Sequence, residues 1–233
     1  MTQFTVTPDA RLLSAVSYIQ KGDRIIDVGT DHAYLPIYLV ESGVASFALA
    51  CDINQGPIDS ARKNICEAGL EGRIATLKTD GLAGTEDFCP DDILIFGMGG
   101  ELIVRILSDA PWVKERRVRL ILQPMSRVAT LRRWLLDNGF EVIGESITHE
   151  GKYYQTVCAV YTGSMTEPPY SDEELLLGRK NIEENAPLLR ELILHEMGVL
   201  SAIIKGKAQS AHADDAEERA LLEKLEKRWE RMQ

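Results

Sequence analysis

The chain has 233 residues, 45% hydrophobic and 27% charged, with a formal net charge of −10. This suits a soluble protein with one sizeable core and an appendage. No apolar run approaches the roughly 20 residues of a membrane span, and the acidity argues against a protein that coats nucleic acid through a basic footprint.

An N-terminal helix is expected over 9–20, with Pro8 near its first turn. Apolar, β-branched runs then alternate with helical patterns. Strands are predicted over 24–28, 47–53, 74–78, 92–96 and 118–122, with helices over 34–41, 56–68, 101–107 and 128–137 between them. This alternation reads as a doubly wound α/β fold with a parallel sheet. Two further strands, 140–148 and 153–161, are joined only by His149-Glu150-Gly151-Lys152, a β-hairpin connection. Composition changes at about residue 163. Ser171 with Glu174 forms a capping-box signature, and Asn185-Ala186-Pro187 marks another helix start. Leu189, Leu192, Ile193, Leu200, Ile203 and Ile204, then Leu221, Leu225 and Trp229, recur at helical spacing. They predict two amphipathic helices joined around Ala211-His212-Ala213-Asp214 in a coiled-coil-like hairpin. The domains expected are therefore 1–163 and 164–233.

Cys51, Cys66, Cys89 and Cys158 are scattered, without metal-ligand spacing, so neither a metal nor a disulfide is expected. The N-terminus lacks a basic-then-apolar signal pattern, which gives the expectation of a cytoplasmic protein. Lys114, Arg116, Arg117, Arg119, Arg127, Arg132 and Arg133 are candidates for a local basic surface, or are simply solvated charges.

The run Asp27-Val28-Gly29-Thr30-Asp31-His32-Ala33-Tyr34-Leu35-Pro36 follows the first strand and opens a helix, where a nucleotide cofactor meets a helix N-terminus. A dinucleotide site needs glycines where this chain has Asp31 and Tyr34, and a carboxylate there would oppose a pyrophosphate. S-adenosylmethionine fits better: it has no phosphate, and its sulfonium and ammonium favour carboxylates. Asp52, ending the second strand about 20 residues on, stands where an acid bonds ribose hydroxyls in such folds, with Ile53 beside it. Asp80-Gly81 follows the third strand and suits an adenine amine. Gly97-Met98-Gly99-Gly100 ends the fourth and leaves backbone room beside the transferable methyl. These features lie at the carboxyl ends of four successive strands, the ligand edge of an open parallel sheet.

Together, Asp-x-Gly-Thr-Asp-His-Ala-Tyr-Leu-Pro (27–36), Gly-Met-Gly-Gly (97–100), Leu-Ile-Leu-Gln-Pro (120–124) and Glu-Gly-Lys-Tyr-Tyr (150–154) resemble the bacterial tRNA (adenine22-N1)-methyltransferase family known as TrmK. The resemblance implies a class I, Rossmann-like methyltransferase with a seven-stranded sheet and an antiparallel last strand. It also implies a tRNA adenine in the D-arm region as substrate. It carries cofactor contacts onto Asp27, Gly29, Asp52, Asp80, Gly81 and the 97–100 loop, and a catalytic role onto Asp31. No Asn/Asp-Pro-Pro-Tyr follows the fourth strand, consistent with a ring-nitrogen target. N1 of adenine has a free lone pair, and a carboxylate accepting from N6 would stabilise the cation that forms; Asp31 is the candidate. An extruded base also needs an aromatic platform. Tyr154 and Tyr153 are candidates, of which strand alternation turns one toward the pocket, and Tyr34 is a third. His32 either bonds the loop backbone or touches substrate. Arg11, Arg105, Arg127 and Lys152 are candidate RNA contacts, with Lys205 and Lys207 on the helical extension. Two other readings stand beside this one: a methyltransferase of a small metabolite, and a non-catalytic S-adenosylmethionine- or RNA-binding adaptor.

Overall fold

The computed structural model describes residues 8–208 and 214–233. The chain divides into two compact units, Met1–Thr166 and Glu167–Gln233.

The first unit is built on one seven-stranded sheet. Its strands are β1 (Asp23–Val28), β2 (Ala45–Asp52), β3 (Ile74–Lys78), β4 (Asp92–Gly99), β5 (Arg119–Ser126), β6 (Phe140–His149) and β7 (Tyr153–Tyr161), in the spatial order β3-β2-β1-β4-β5-β7-β6. Strands β1 to β5 are parallel, whereas β7 runs antiparallel to both β5 and β6. The reversed strand is last in sequence but lies inside the sheet. The middles of the central strands are apolar on both faces because both faces are covered: Ile25, Ile26, Leu94, Ile95, Leu120 and Ile121 are fully buried. Strands β4 and β5 run beyond their predicted ends, through Gly97-Met98-Gly99 and Gln123-Pro124-Met125, where the apolar signal is lost but pairing continues. The register of β4 against β5 slips on either side of Met98.

Helices α2 (Tyr34–Glu41), α3 (Gln55–Glu67), α4 (Gly100–Ser108) and α6 (Val128–Asp137) lie close to their predicted bounds, and α5 (Trp112–Glu115) is an added turn. The N-terminal helix does not reach residue 20. Only α1 (Ala10–Leu13) is α-helical, capped by Asp9, whose carboxylate accepts from Leu12 N at 2.8 Å. Beyond it, the Ser14 and Ser17 hydroxyls bond back to Arg11 O and Ser14 O, and such local bonds compete with a continuing helix. The segment is held instead by β6 and β7. Ser14 Oγ meets Thr156 Oγ1 at 2.7 Å, Glu150 accepts from Ala10 N at 3.2 Å, and the Tyr18 ring lies where any side chain at Gly144 would stand, 2.7 Å from its built Cβ.

Three cations expected on a basic surface are engaged elsewhere. Arg132 is fully buried and donates to Glu145 at 2.6 Å and Gln155 at 2.8 Å. Arg119 bridges Asp23 and Asp92 at the amino-terminal edge of the sheet. Lys114 donates to Asn138 at 2.9 Å. Spacing cannot separate a solvated arginine from one whose carboxylate partner arrives from a distant strand.

The second unit contains α7 (Asp172–Leu177), α8 (Arg179–Glu183), α9 (Leu189–Lys207) and α10 (Ala216–Arg231). The capping box forms as read, with Ser171 Oγ accepting from Glu174 N at 3.3 Å and Glu174 accepting from Ser171 N at 2.7 Å. Lys207 at the end of α9 meets Glu218 near the start of α10 at 2.6 Å, while Arg190 lies over Trp229 at 5.2 Å, so the two helices are antiparallel. Leu225, central in the predicted stripe, is fully buried. Residues 211–213 of the predicted connection fall outside the described residues. Among the described residues, no helix is long and apolar enough to cross a membrane, and no His/Cys/Asp/Glu group could hold a metal ion.

Truncating one partner of a buried ion pair strands the other charge, at a cost of about 3–5 kcal/mol. Arg132→Met is therefore expected to lower unfolding free energy by that amount in urea titration, and Arg132→Met with Glu145→Leu to recover most of it.

Candidate active site

The loop leaving β1 carries the strain of the site. Gly29 has φ +78°, followed by Asp31 at +49° and Ala33 at +58°. Two non-glycine residues thus adopt the left-handed backbone that a glycine-rich loop would take freely, a costly conformation kept where the surroundings fix it. Here α2 follows immediately, Asn64 of α3 donates to His32 O at 2.9 Å, and the His32 and Tyr34 rings stack with centroids 5.1 Å apart. A Cβ on Gly29 would lie 2.4 Å from Met98 Cε, so the bare glycine admits the Met98 side chain from β4.

This loop borders a cavity of about 380 Å³. Asp27, Gly29, Asp31, His32 and Gly97, all expected at the site, line it together with Tyr34. Asp27 is buried, and its burial pushes the carboxyl up to about 6. The Thr30 hydroxyl moderates that rise without forming a well-shaped hydrogen bond, and Asp52 adds to it. Asp31 is largely exposed, 3.6 Å from His32 Nε2. Asp52 uses Oδ1 to accept from Asn54 N at 2.8 Å, closing the turn into α3, with Ile53 exposed beside it.

Asp80 and Gly81 line a separate, smaller cavity of about 160 Å³, walled by Ile106. The Asp80 carboxylate accepts from Arg105 at 3.2 Å, so a candidate cofactor ligand and a candidate RNA contact meet each other. Gly99 N-caps α4, and a Cβ on Gly100 would fall 2.5 Å from the Arg127 carbonyl oxygen. The turns after β4 and β5 thus touch backbone to backbone, and Arg127 stands at that rim, 3.8 Å from Glu101. Lys152 is exposed in the β6–β7 turn. The two tyrosines separate as alternation requires: Tyr153 packs on His149 at 4.7 Å, and Tyr154 lies under the Arg11 guanidinium at 5.8 Å.

Arg11, expected as an RNA contact, lies at the larger cavity. With Asp9 it forms a wall of the larger cavity, and it is the one arginine or lysine among the described lining residues. It donates to Gln123 at 3.1 Å. Sequence reasoning also passed over Asp9, Phe96 and Gln123 as site residues. Gln123 had one available signal, an amide interrupting the apolar run of β5.

The sheet order, the single reversed strand and an acid-lined cavity at the carboxyl ends of β1 and β4 define a Rossmann-like methyltransferase. The methyltransferase domain family matches residues 9–157. The tRNA (adenine(22)-N(1))-methyltransferase of Bacillus subtilis is 39% identical over 150 residues, spanning 64% of this chain and 63% of that protein. The crystal structure of the B. subtilis tRNA methyltransferase TrmK superposes with TM-score 0.79 at 30% identity, covering 97% of each chain. Streptococcus pneumoniae Sp1610 in complex with S-adenosyl-L-methionine superposes with TM-score 0.82 at 32% identity, covering 94% of this chain and 99% of that one. The chain belongs to the TrmK family of methyltransferases.

The raised Asp27 carboxyl has a thermodynamic signature. A folded value of about 6 against 3.8 means that the unfolded chain ionises first, so this group lowers stability as pH rises through that window and at a constant level above it. Asp27→Asn, without ligand, is expected to melt at or above the parent temperature at pH 7.5, with the difference vanishing below pH 4. Calorimetric melts across that range measure it.

Proposed function

We propose that this protein transfers the methyl group of S-adenosylmethionine to N1 of an adenine in tRNA, adenine 22 in the D-arm region. The observation that carries the reading is the cavity at the ends of β1 and β4, where, among the described residues, Asp9, Asp27 and Asp31 face one arginine, Arg11. A buried carboxylate with a raised value gains from a cationic ligand and loses from an anionic one. Such walls suit the ammonium and sulfonium of this donor, and the carboxylate of its amino-acid end has Arg11 as a counter-charge. A pyrophosphate would meet Asp31 where its own site needs glycine.

We assign cofactor contacts to Asp27, Gly29, Asp31, Asp52, Ile53, Asp80, Gly81, Gly97, Met98 and Gly99. When bound, S-adenosylmethionine supplies an electrophilic methyl group on sulfur, which the N1 lone pair can take without prior deprotonation. Asp31 accepts from the adenine N6 amine and opposes the positive charge that develops on the ring. Tyr154 is the aromatic platform for the extruded base. His32, Tyr153, Arg105, Arg127 and Lys152 border the tRNA path. Much of the rate comes from alignment of two bound partners. Residues 1–163 form the catalytic domain and 164–233 a helical, coiled-coil-like domain that adds RNA contact through Lys205, Lys207 being already engaged by Glu218 at 2.6 Å. The setting is the cytoplasm.

Incubation with labelled S-adenosylmethionine and total tRNA, then nucleoside digestion, is expected to yield labelled N1-methyladenosine, and a tRNA with guanine at position 22 to take none. Label confined to a small-metabolite extract would favour a metabolite methyltransferase, and donor binding without transfer an adaptor. Asp31→Ala is expected to keep the fold and donor binding while losing at least 100-fold in single-turnover transfer, the scale of one positioned acid–base or electrostatic group.

A further inference from the structure

Gln123 is fully buried inside β5, at a position where an apolar side chain would pack at lower cost. Its amide is committed at both ends. Nε2 donates to Pro124 O at 2.9 Å, which turns Oε1 toward Arg11 Nη1 at 3.1 Å and Gly97 N at 3.3 Å. Gly97 has φ +75° and sits where the register of β4 slips, and the Arg11 guanidinium lies 3.7 Å from where a Gly97 Cβ would be. The same guanidinium covers the Tyr154 ring. One amide thus joins two walls of the cavity, the N-terminal turn and the end of β4, and, through Arg11, the start of β7.

The charge arrangement gives this junction a consequence. Arg11 shares its cavity with Asp27 and Asp31. Its Nη2 already meets Asp9 Oδ2 at 3.5 Å, and a guanidinium released from Gln123 can also turn onto Asp27 and Asp31. Pairing with them would neutralise the acids that face a cationic product and would withdraw support from the Tyr154 ring.

We propose that Gln123 is a positioning residue for methyl transfer: with Asp9 it holds Arg11 against Gly97 and Tyr154 and away from Asp27 and Asp31. The inference rests on the methyltransferase reading above and deepens it. Gln123 touches neither reacting partner; it acts through Arg11. Methionine at 123 removes the acceptor while keeping the volume, whereas glutamate keeps an acceptor oxygen for both Arg11 and Gly97 and, in its protonated form, an O–H to donate to Pro124 O.

The test measures kcat on tRNA at saturating donor, together with S-adenosylmethionine Kd by calorimetry, for the full chain, Gln123→Met, Gln123→Glu, Arg11→Met and the Arg11→Met/Gln123→Met pair. Gln123→Met is expected to lose at least tenfold in kcat at saturating donor and to weaken donor Kd, because Arg11 then competes for Asp27 and Asp31, and Gln123→Glu to stay within threefold in both. The pair should be no slower than its slower single variant, because both changes break one device. Parental kcat in folded Gln123→Met, or losses that multiply in the pair, would each overturn the proposal. If Gln123→Met does not fold by circular dichroism, parental kcat in Arg11→Met overturns it instead. A wild-type protein that places no methyl on tRNA removes the functional reading and this one together, whereas an active wild type with an equally active Gln123→Met removes only the positioning role.

Discussion

Strand β1 pairs with β2 on one side and β4 on the other, so the chain winds one way from its first strand and later returns to wind the other way. At such a reversal, the loops leaving neighbouring strands part and open a crevice at the carboxyl edge. The first unit depends on this constraint. It places the strained turn of Gly29, Asp31 and Ala33 opposite Gly97, and it buries Asp27 at the crevice floor. Nothing in the side chains alone would make a cavity there; the divergence of backbone does.

The reversed strand β7 supports the N-terminal turn that lines the crevice. Because β7 lies between β5 and β6, its first residues come back toward the end of β5, where Gln123 stands. The short N-terminal turn is then fixed against β6 and β7 by Ser14, Ala10 and Tyr18, which delivers Arg11 to the crevice. The polar groups that order this region are mostly internal and neutral or singly charged. Among the described residues, the acids facing the cavity outnumber the arginines and lysines, a local destabilisation that a positively charged ligand relieves.

The strand and helix pattern of the first unit was legible almost throughout, since β3, β7, α2 and α6 have the bounds their periodicity gives. Buried parallel strands are apolar on both faces and separated by amphipathic helices, which leaves two strong periods to read. The misses have local causes. The helix at 9–20 shrank to one turn because serine hydroxyls found backbone and cross-strand partners. Arg119 and Arg132 looked like surface charges because their acids, Asp23, Asp92 and Glu145, are remote in sequence or on another element.

The sequence by itself determined the fold class, the four strand-end motifs and the preference for a cationic, phosphate-free ligand, because backbone periodicity and side-chain charge are local properties. Only the tertiary structure decided which residues share a wall. It separated Asp80 and Gly81 into their own cleft with Arg105, sorted Tyr154 from Tyr153, and brought Arg11, Gln123 and Gly97 to one point. Those outcomes depend on strand order and on the direction in which each loop leaves the sheet, and both are set by pairing between segments that no spacing along the chain records.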